Sequence, residues 1–254
     1  MLLRDHLSKP WPDGKTVDPI EVARFTELAE EWWNPEGKFR PIHSLNPVRR
    51  DYIVDRITRH FYRDADATLA GLRILDVGCG AGLLCEPLAE RGADIVGIDA
   101  TARNIEIARW HAIHSGVDID YRHCLAEHVL DSGETFDVVL NTEVVEHVAD
   151  PEQLMKECSA LVKPGGIMIV ATINRTLRSF ILAIIGAEYI LKWLPKGTHD
   201  WQKFLRPSEV CCAIEAQDLD LNELKGVSFN PVTRRWHLSR DTSVNYMLLA
   251  TRRP

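Results

Sequence analysis

The chain has 254 residues, 45% of them hydrophobic, and a formal net charge of −7. That is enough apolar material to bury a full core without metal or disulfide support. The acidic balance, with basic residues gathered only in short pairs such as Arg49-Arg50, Arg234-Arg235 and Arg252-Arg253, argues against a general nucleic-acid-binding surface.

The six cysteines, Cys79, Cys85, Cys124, Cys158, Cys211 and Cys212, show no paired spacing of the metal-ligand kind. Adjacent Cys211 and Cys212 make a poor disulfide, so buried free thiols in a reducing compartment are expected. The opening MLLRDHLSKPWPDGK lacks the long apolar core and small-residue cleavage site of a secretory signal, which points to a cytoplasmic protein. No stretch attains the roughly 20 apolar residues that span a bilayer.

Asp18-Pro19-Ile20-Glu21 reads as an N-cap, a proline at the first helical position and a capping-box glutamate, opening a helix through about Trp33. Asn46-Pro47 repeats the cap-plus-proline signal ahead of VRRDYIVDRITRHF. Residues 1–70 therefore read as a mostly helical extension. After Gly71 short β-rich runs alternate with helical segments, the pattern of a parallel sheet with crossovers. The expected strands are RILDV, DIVGID, IDYRHC, FDVVLN and GIMIVATI, with helices near Leu83 to Arg91, Ala102 to Ser115 and Pro151 to Val162. ELKGVSFNPVTRRWHL and SVNYMLLATR add two strands joined without a clear helix, which predicts an antiparallel edge, and Asn230-Pro231 marks a turn. The expected fold class is α/β: a Rossmann-like, mostly parallel seven-stranded sheet with an antiparallel final strand and helices on both faces.

ILDVGCGAG follows a strand and precedes a helix, with Gly78, Gly80 and Gly82 at alternate positions. Glycines let a backbone turn tightly and approach a ligand, and the helix N-terminus offers it unpaired N–H groups. A dinucleotide fingerprint requires glycine or alanine at position 83. This chain has Leu83 and sets its third glycine one residue earlier, so NAD is the weaker reading. Asp99 ends the next strand, 21 residues after Gly78, where a carboxylate can accept both hydroxyls of a ribose.

LDVGCGAG, then GID, FDVV and LVKPGG, together resemble the class I S-adenosylmethionine-dependent methyltransferases. The resemblance implies that the loop of Gly78, Gly80 and Gly82 takes the methionine part of that cofactor and Asp99 its ribose. It further implies that Asp76 supports the loop and the cofactor amine, and that Ala126 and Glu127 lie near adenine. EEWWNPEGKFRPIHSLNPVR, GAEYILKWLPKGTHDWQKF and the late NYML extend the resemblance over nearly the whole chain, to the O-methyltransferases of ubiquinone biosynthesis. Those enzymes methylate catechol-type hydroxyls on polyprenylated ring intermediates. By this resemblance Arg49 meets the cofactor carboxylate, and Thr142 contacts the cofactor through backbone or packing. The chain then divides into the helical extension, 1–70, and a methyltransferase domain, 71–254, carrying an apolar insert at about 176–206.

EVVEH, Glu143 to His147, places two carboxylates and an imidazole at i, i+3 and i+4, offsets that share one face of a helix. It follows the fourth strand, at the carboxyl edge where α/β sheets place their sites. Methyl transfer to a phenol is a direct displacement, so it demands alignment and an oxyanion. A phenol with a pKa of roughly 10 ionises near neutrality only if its phenolate is favoured by roughly 4 kcal/mol. Glu143, Glu146 and His147 are candidates to hold magnesium, with water and substrate completing its shell, as a Lewis acid. His147 acting directly as a base and a structural helix-start role are the alternatives.

Between the fifth strand and the helix opened by Pro207-Ser208 lies SFILAIIGAEYILKWLPKGTHDWQKF. From Phe180 to Leu194 only Glu188 and Lys192 are charged, and their spacing puts both on one helical side. Fifteen residues make roughly 22 Å of helix, short of the approximately 30 Å hydrocarbon core. The segment is therefore either a core helix or an amphipathic element in the bilayer interface. With a polyprenyl substrate, peripheral contact with the inner membrane through about residues 177–194 is expected. His199, in GTHDW, is a second candidate base or substrate contact. The expected function is O-methylation of a polyprenylated phenol or quinol, with a quinone-biosynthesis complex as a further candidate partner. The rivals are a methyltransferase of another small phenol or quinone, and a non-catalytic binding subunit of a membrane-associated complex.

Overall fold

The computed structural model describes residues 12, 14–61, 68–180 and 200–254. The extension supplies α1 (Pro19–Leu28), a 3-10 turn at Ala29–Glu31 and α2 (Arg40–His60). Strands and helices then alternate as β1 (Arg73–Val77), α3 (Cys85–Ala89), β2 (Asp94–Asp99), α4 (Ala102–Ser115), β3 (Asp120–His123), α5 (Ala126–Asp131), β4 (Phe136–Thr142), α6 (Pro151–Ala160) and β5 (Val162–Ile173). The one-turn α7 (Leu177–Ser179), α8 (Pro207–Glu215), β6 (Leu219–Asn230), β7 (Arg235–Ser239) and β8 (Asn245–Arg252) complete the chain.

Among the described residues the strands form one eight-stranded sheet in the order β3-β2-β1-β4-β5-β8-β6-β7. β1 to β5 pair in parallel, whereas β8 runs antiparallel to both β5 and β6, and β7 is the antiparallel hairpin partner of β6. The α/β, mostly parallel expectation holds. The count is eight rather than seven because ELKGVSFNPVTRRWHL folds as two strands. The Asn230 side-chain oxygen accepts from the Val232 and Thr233 amides, at 2.9 and 3.2 Å, and this local turn reverses the chain.

Alternation along each central strand divides the core in two. Ile74, Ile95, Val138, Leu140, Ile167 and Ile169 face α2, α3 and α4, while Leu75, Val96, Val139, Met168 and Val170 face α5, α6 and α8. Each such side chain, fully buried, contributes about 1.5–3 kcal/mol. A third cluster of Leu28, Ala29, Trp32, Phe39 and Ala81 joins the extension to the glycine loop.

The extension departs from expectation in three places. α1 ends at Leu28 rather than near Trp33. Its N-cap is Asp18, whose carboxylate accepts from the Ile20 amide at 2.9 Å, but Glu21 does not close a capping box and turns to His147 instead. α2 begins at Arg40, with Pro41 in its first turn, and runs straight through Pro47. Pro47 cannot donate to the helix, yet Leu45, Tyr52, Ile53 and Ile57 all pack into the main core, and that burial outweighs the lost bond. Asn46 is therefore no cap; its side-chain oxygen accepts from Arg49, at 2.9 Å.

All six cysteines are free, with Cys79, Cys85 and Cys158 buried and Cys212 exposed. No helix among the described residues is long and apolar enough to cross a membrane. Most of the apolar insert, including the 181–194 part of the segment expected at the membrane, and His199 lie outside the described residues.

Because α2 shares its core with the sheet, Ile53→Ala should lower stability by about 2–5 kcal/mol. Thermal unfolding should still show one cooperative transition; a separate early transition would mean that the extension unfolds on its own.

Candidate active site

The loop after β1 is built on glycine. Gly80 and Gly82 have φ of 56° and 90°, in the left-handed region that other residues rarely occupy. A Cβ on Gly80 would lie 2.7 Å from the Trp32 indole, and one on Gly82 would lie 2.0 Å from the Tyr121 hydroxyl oxygen. The loop thus passes directly beneath a side chain of the N-terminal extension. Trp33 Nε1 donates to the Ala81 carbonyl at 3.0 Å, and Trp32 Nε1 donates to the Asn104 side-chain oxygen at 2.9 Å. The Trp32 and Phe39 rings stack with centroids 3.9 Å apart.

Asp99, at the end of β2, is held on both oxygens. One accepts from the Gly80 amide at 3.0 Å; the other accepts from the Thr101 amide at 2.7 Å and the Asn104 carboxamide at 3.2 Å. Burial pushes this carboxyl up, and these donors pull it back. Asp76 faces α3, where one oxygen accepts from the Cys85 thiol at 3.2 Å and the other is buried without a hydrogen-bond partner. Burial pushes the Asp76 carboxyl up to about 7, against the opposing pulls of Cys85 and Arg49.

EVVEH does not form a helical face. The Glu143 amide donates to the Ala171 carbonyl at 2.8 Å, extending the β4–β5 pairing past Thr142, and Glu143 takes a φ of 58°. A 3-10 turn at Val145–His147 follows. The three side chains consequently part toward three different elements. Glu143 Oε1 accepts from Arg49 Nη2 at 2.8 Å, a pair in which the arginine side chain is 3% exposed. Glu146 accepts from the Thr172 hydroxyl at 2.8 Å. His147 Nδ1 lies 3.1 Å from a carboxylate oxygen of Glu21, on α1.

The electrostatics of these groups are coupled. Burial, reinforced by the charge of Glu143, holds the Glu146 carboxyl above its ordinary value, and its second oxygen is buried without a hydrogen-bond partner. Burial alone would lower His147, but its bond to Glu21 and the nearby carboxylates hold it above its ordinary value. Glu21, in turn, is held below its own despite burial, first by His147.

Gly78, Asp99, Ala126, Glu143 and His147 line one cavity, together with Thr101, Asn104 and Val144 and with Val22, Phe25 and Trp32 of the extension. Arg49, Asp76 and Glu146 are buried but do not line it, and neither do Gly80, Gly82 and Thr142. Glu127 is displaced from the lining; a Cβ on Gly14 would lie 2.1 Å from its carboxylate. Two carboxylates with one orphaned oxygen suit a hard cation by donor type. Among the described residues, however, no group of three His, Cys, Asp or Glu side chains is arranged to hold a metal. The expectation of three ligands converging from one helix face is corrected.

Sequence reasoning missed Asp18, Glu21, Trp32, Asn104 and Lys203. Lys203 Nζ donates to Asp18 at 2.7 Å and to Glu21 at 3.5 Å, pinning α1 to the segment that follows the insert. The Trp32-Trp33 pair was visible as a motif, but nothing in its spacing shows that it roofs the glycine loop.

A family model described as a methyltransferase domain matches residues 48–224. A ubiquinone biosynthesis O-methyltransferase from Chelativorans sp. is 57% identical over 237 residues, covering 92% of this chain and 94% of the relative. A protein of the same description from Mesorhizobium japonicum is 55% identical, covering 95% of this chain and 98% of the relative. Among solved structures, a magnesium protoporphyrin IX methyltransferase from Synechocystis superposes with a TM-score of 0.59 at 17% identity, covering 90% of this chain and 99% of that one. An S-adenosylmethionine-dependent methyltransferase from Thermotoga maritima does so with 0.61 at 18% identity, covering 92% of this chain and 99% of that one. At those identities the structures speak to the fold alone; the family model and the sequence relatives place the chain in the family of ubiquinone biosynthesis O-methyltransferases.

Proposed function

We propose that the protein transfers a methyl group from S-adenosylmethionine to a catechol-type ring hydroxyl of a polyprenylated ubiquinone precursor, working in the cytoplasm at the surface of the inner membrane. The observation that carries this reading is a single cavity lined by two chemically distinct sets of residues. Gly78 and Asp99 meet Glu143 and His147 there. The bound cofactor would supply a sulfonium methyl, and the residues around it do the rest.

Asp99, its orientation already fixed by three donors, suits the paired hydroxyls of a ribose. Asp76, with an oxygen that has no partner, suits an ammonium group. Arg49 would take the cofactor carboxylate, and Ala126 would border adenine. Arg49 already holds Glu143, so a carboxylate competing for its guanidinium releases Glu143 toward the acceptor. There His147 is the candidate base for the ring hydroxyl. A divalent cation stabilising the phenolate as a Lewis acid would have to draw on the Glu143 and Glu146 carboxylates alone, since His147 is committed to Glu21. The orphaned Glu146 oxygen is the observation in its favour. The extension would act as the roof of this site, with the domain proper beginning near residue 71, and His199 would approach the acceptor from the insert.

Purified protein given labelled methyl donor and a short-chain demethylubiquinol should transfer label to the ring hydroxyl. Failure to transfer, with cofactor binding demonstrated, would sink the enzymatic reading in favour of a binding subunit. Glu143→Gln with Glu146→Gln should cut turnover by at least about tenfold, as loss of a Lewis acid or of an oriented base does. If magnesium serves the step, a chelator should do the same to the unaltered protein, and manganese should bind more tightly once the demethylated cofactor product is present. Full activity in chelator would remove the metal.

Asp76 gives a pH signature. Its buried carboxyl titrates at about 7 in the free protein, so below that pH it is mainly protonated and must lose a proton to meet an ammonium. Cofactor affinity should therefore rise with pH up to about 7 and then level off, with proton release seen calorimetrically on the acidic side. Asp76→Asn should flatten this dependence; an unchanged slope would remove Asp76 from amine binding.

A further inference from the structure

The chain is acidic overall, and most of its described arginines that reach solvent lie against a carboxylate, as Arg103 lies against Glu30 and Arg253 against Asp220. The β6–β7 hairpin breaks this pattern. From Gly226 to Arg240 there is no Asp or Glu. Arg234, Arg235 and Arg240 are all exposed and, among the described residues, none of them pairs with a carboxylate. At the tip Val232 is 90% exposed, an apolar side chain set beside unneutralised cations. Arg234 adopts a φ of 54°, a conformation that glycine or asparagine would take with less strain, and such strain is a pointer to function.

Register shows where the hairpin projects. The first residue of β8, Asn245, lies opposite Ile173 at the carboxyl end of β5 and opposite Val227 of β6. The pairs Ser228–His237, Phe229–Trp236 and Asn230–Arg235 continue beyond that level, so the hairpin stands out from the sheet edge on which the active site lies. It is held one pair from its turn, where Trp236 Nε1 donates to the Ser44 hydroxyl of α2 at 2.9 Å. The start of the apolar insert lies beside it. Arg178 pairs with Asp241 and donates to the Ser243 hydroxyl, in the loop after β7, while neighbouring Leu177 is 73% exposed.

We propose that the β6–β7 hairpin is a docking arm for an anionic lipid surface, seating Val232 among the headgroups while Arg234, Arg235 and Arg240 meet their phosphates. A rigid arm with a bare valine at its tip and only positive charge around it matches a bilayer interface, which offers both apolar depth and negative charge. A nucleic-acid backbone would reward the arginines but not the valine. The choice of a lipid rests on the polyprenylated substrate proposed above, and the arm would set the cavity mouth toward the membrane from which such a substrate comes.

The test is flotation of the full-length protein with phosphatidylcholine vesicles, with and without phosphatidylglycerol, alongside turnover of a water-soluble short-chain demethylubiquinol. Binding should require phosphatidylglycerol and weaken with salt. Arg234→Glu combined with Arg235→Glu should weaken it about tenfold or more, since each basic residue at such a surface is worth about a fivefold factor. Val232→Asp should also weaken it, and both variants should keep the melting temperature and short-chain turnover of the unaltered protein. Undiminished flotation of the arginine variant, equal binding to neutral vesicles, or loss of binding to heparin alone would overturn the proposal. Absence of turnover in every protein would count against the chemistry proposed for the cavity and leave the flotation result standing by itself.

Discussion

Asp99 sits where β2 ends, with its two oxygens shared among the Gly80 amide, the Thr101 amide and the Asn104 carboxamide. An ionised carboxylate buried this deeply is costly unless charge-assisted hydrogen bonds surround it, and these three donors come from the glycine loop, the start of α4 and the first turn of that helix. Asn104 also accepts from Trp32, which brings in the N-terminal extension. One carboxylate therefore sets the loop, the helix and the roof relative to one another. A change at Trp32 would be felt at Asp99 through Asn104, although no hydrogen bond joins the tryptophan to the aspartate directly.

The residues around Glu143 and His147 carry charges arranged in alternation. Arg49 holds Glu143, Glu21 holds His147, and Lys203 holds Asp18 and Glu21. Glu146 is the exception, with a hydroxyl for one oxygen and nothing for the other. Burial and the neighbouring Glu143 charge disfavour its ionised form. The ion pairs also couple the two sets of residues. Arg49 sits between the expected carboxylate of a donor and that of Glu143, and it cannot serve both fully at once.

Much of the sheet was legible because buried parallel strands are unbroken apolar runs bounded by turn residues. β1, β2 and β4 begin where their sequences led one to expect, and α4 matches at both ends, since Gly116 closes it with a φ of 72°. The left-handed backbone of Gly80 and Gly82 and the place of Asp99 at the end of β2 were legible for a related reason: they follow from local backbone demands and a short spacing. The errors share a different cause. Pro47 reads as a helix start, yet core burial of the residues on either side carries α2 through it. EVVEH reads as helical, yet a hydrogen bond to β5 takes its first residue into the left-handed region. Glu21 reads as a cap, yet its partner is 126 residues away. Local pattern cannot anticipate a partner that only tertiary structure brings near.

The match to the general methyltransferase domain begins at residue 48, while Asp18, Glu21, Phe25 and Trp32 all precede it and all line the cavity. The glycine loop and Asp99 belong to the matched domain, but Trp32 above that loop and Glu21, which holds His147, do not. The cavity is thus built jointly: the matched domain carries Gly78, Asp99, Glu143 and His147, and α1 and the turn after it close over them with Glu21, Phe25 and Trp32.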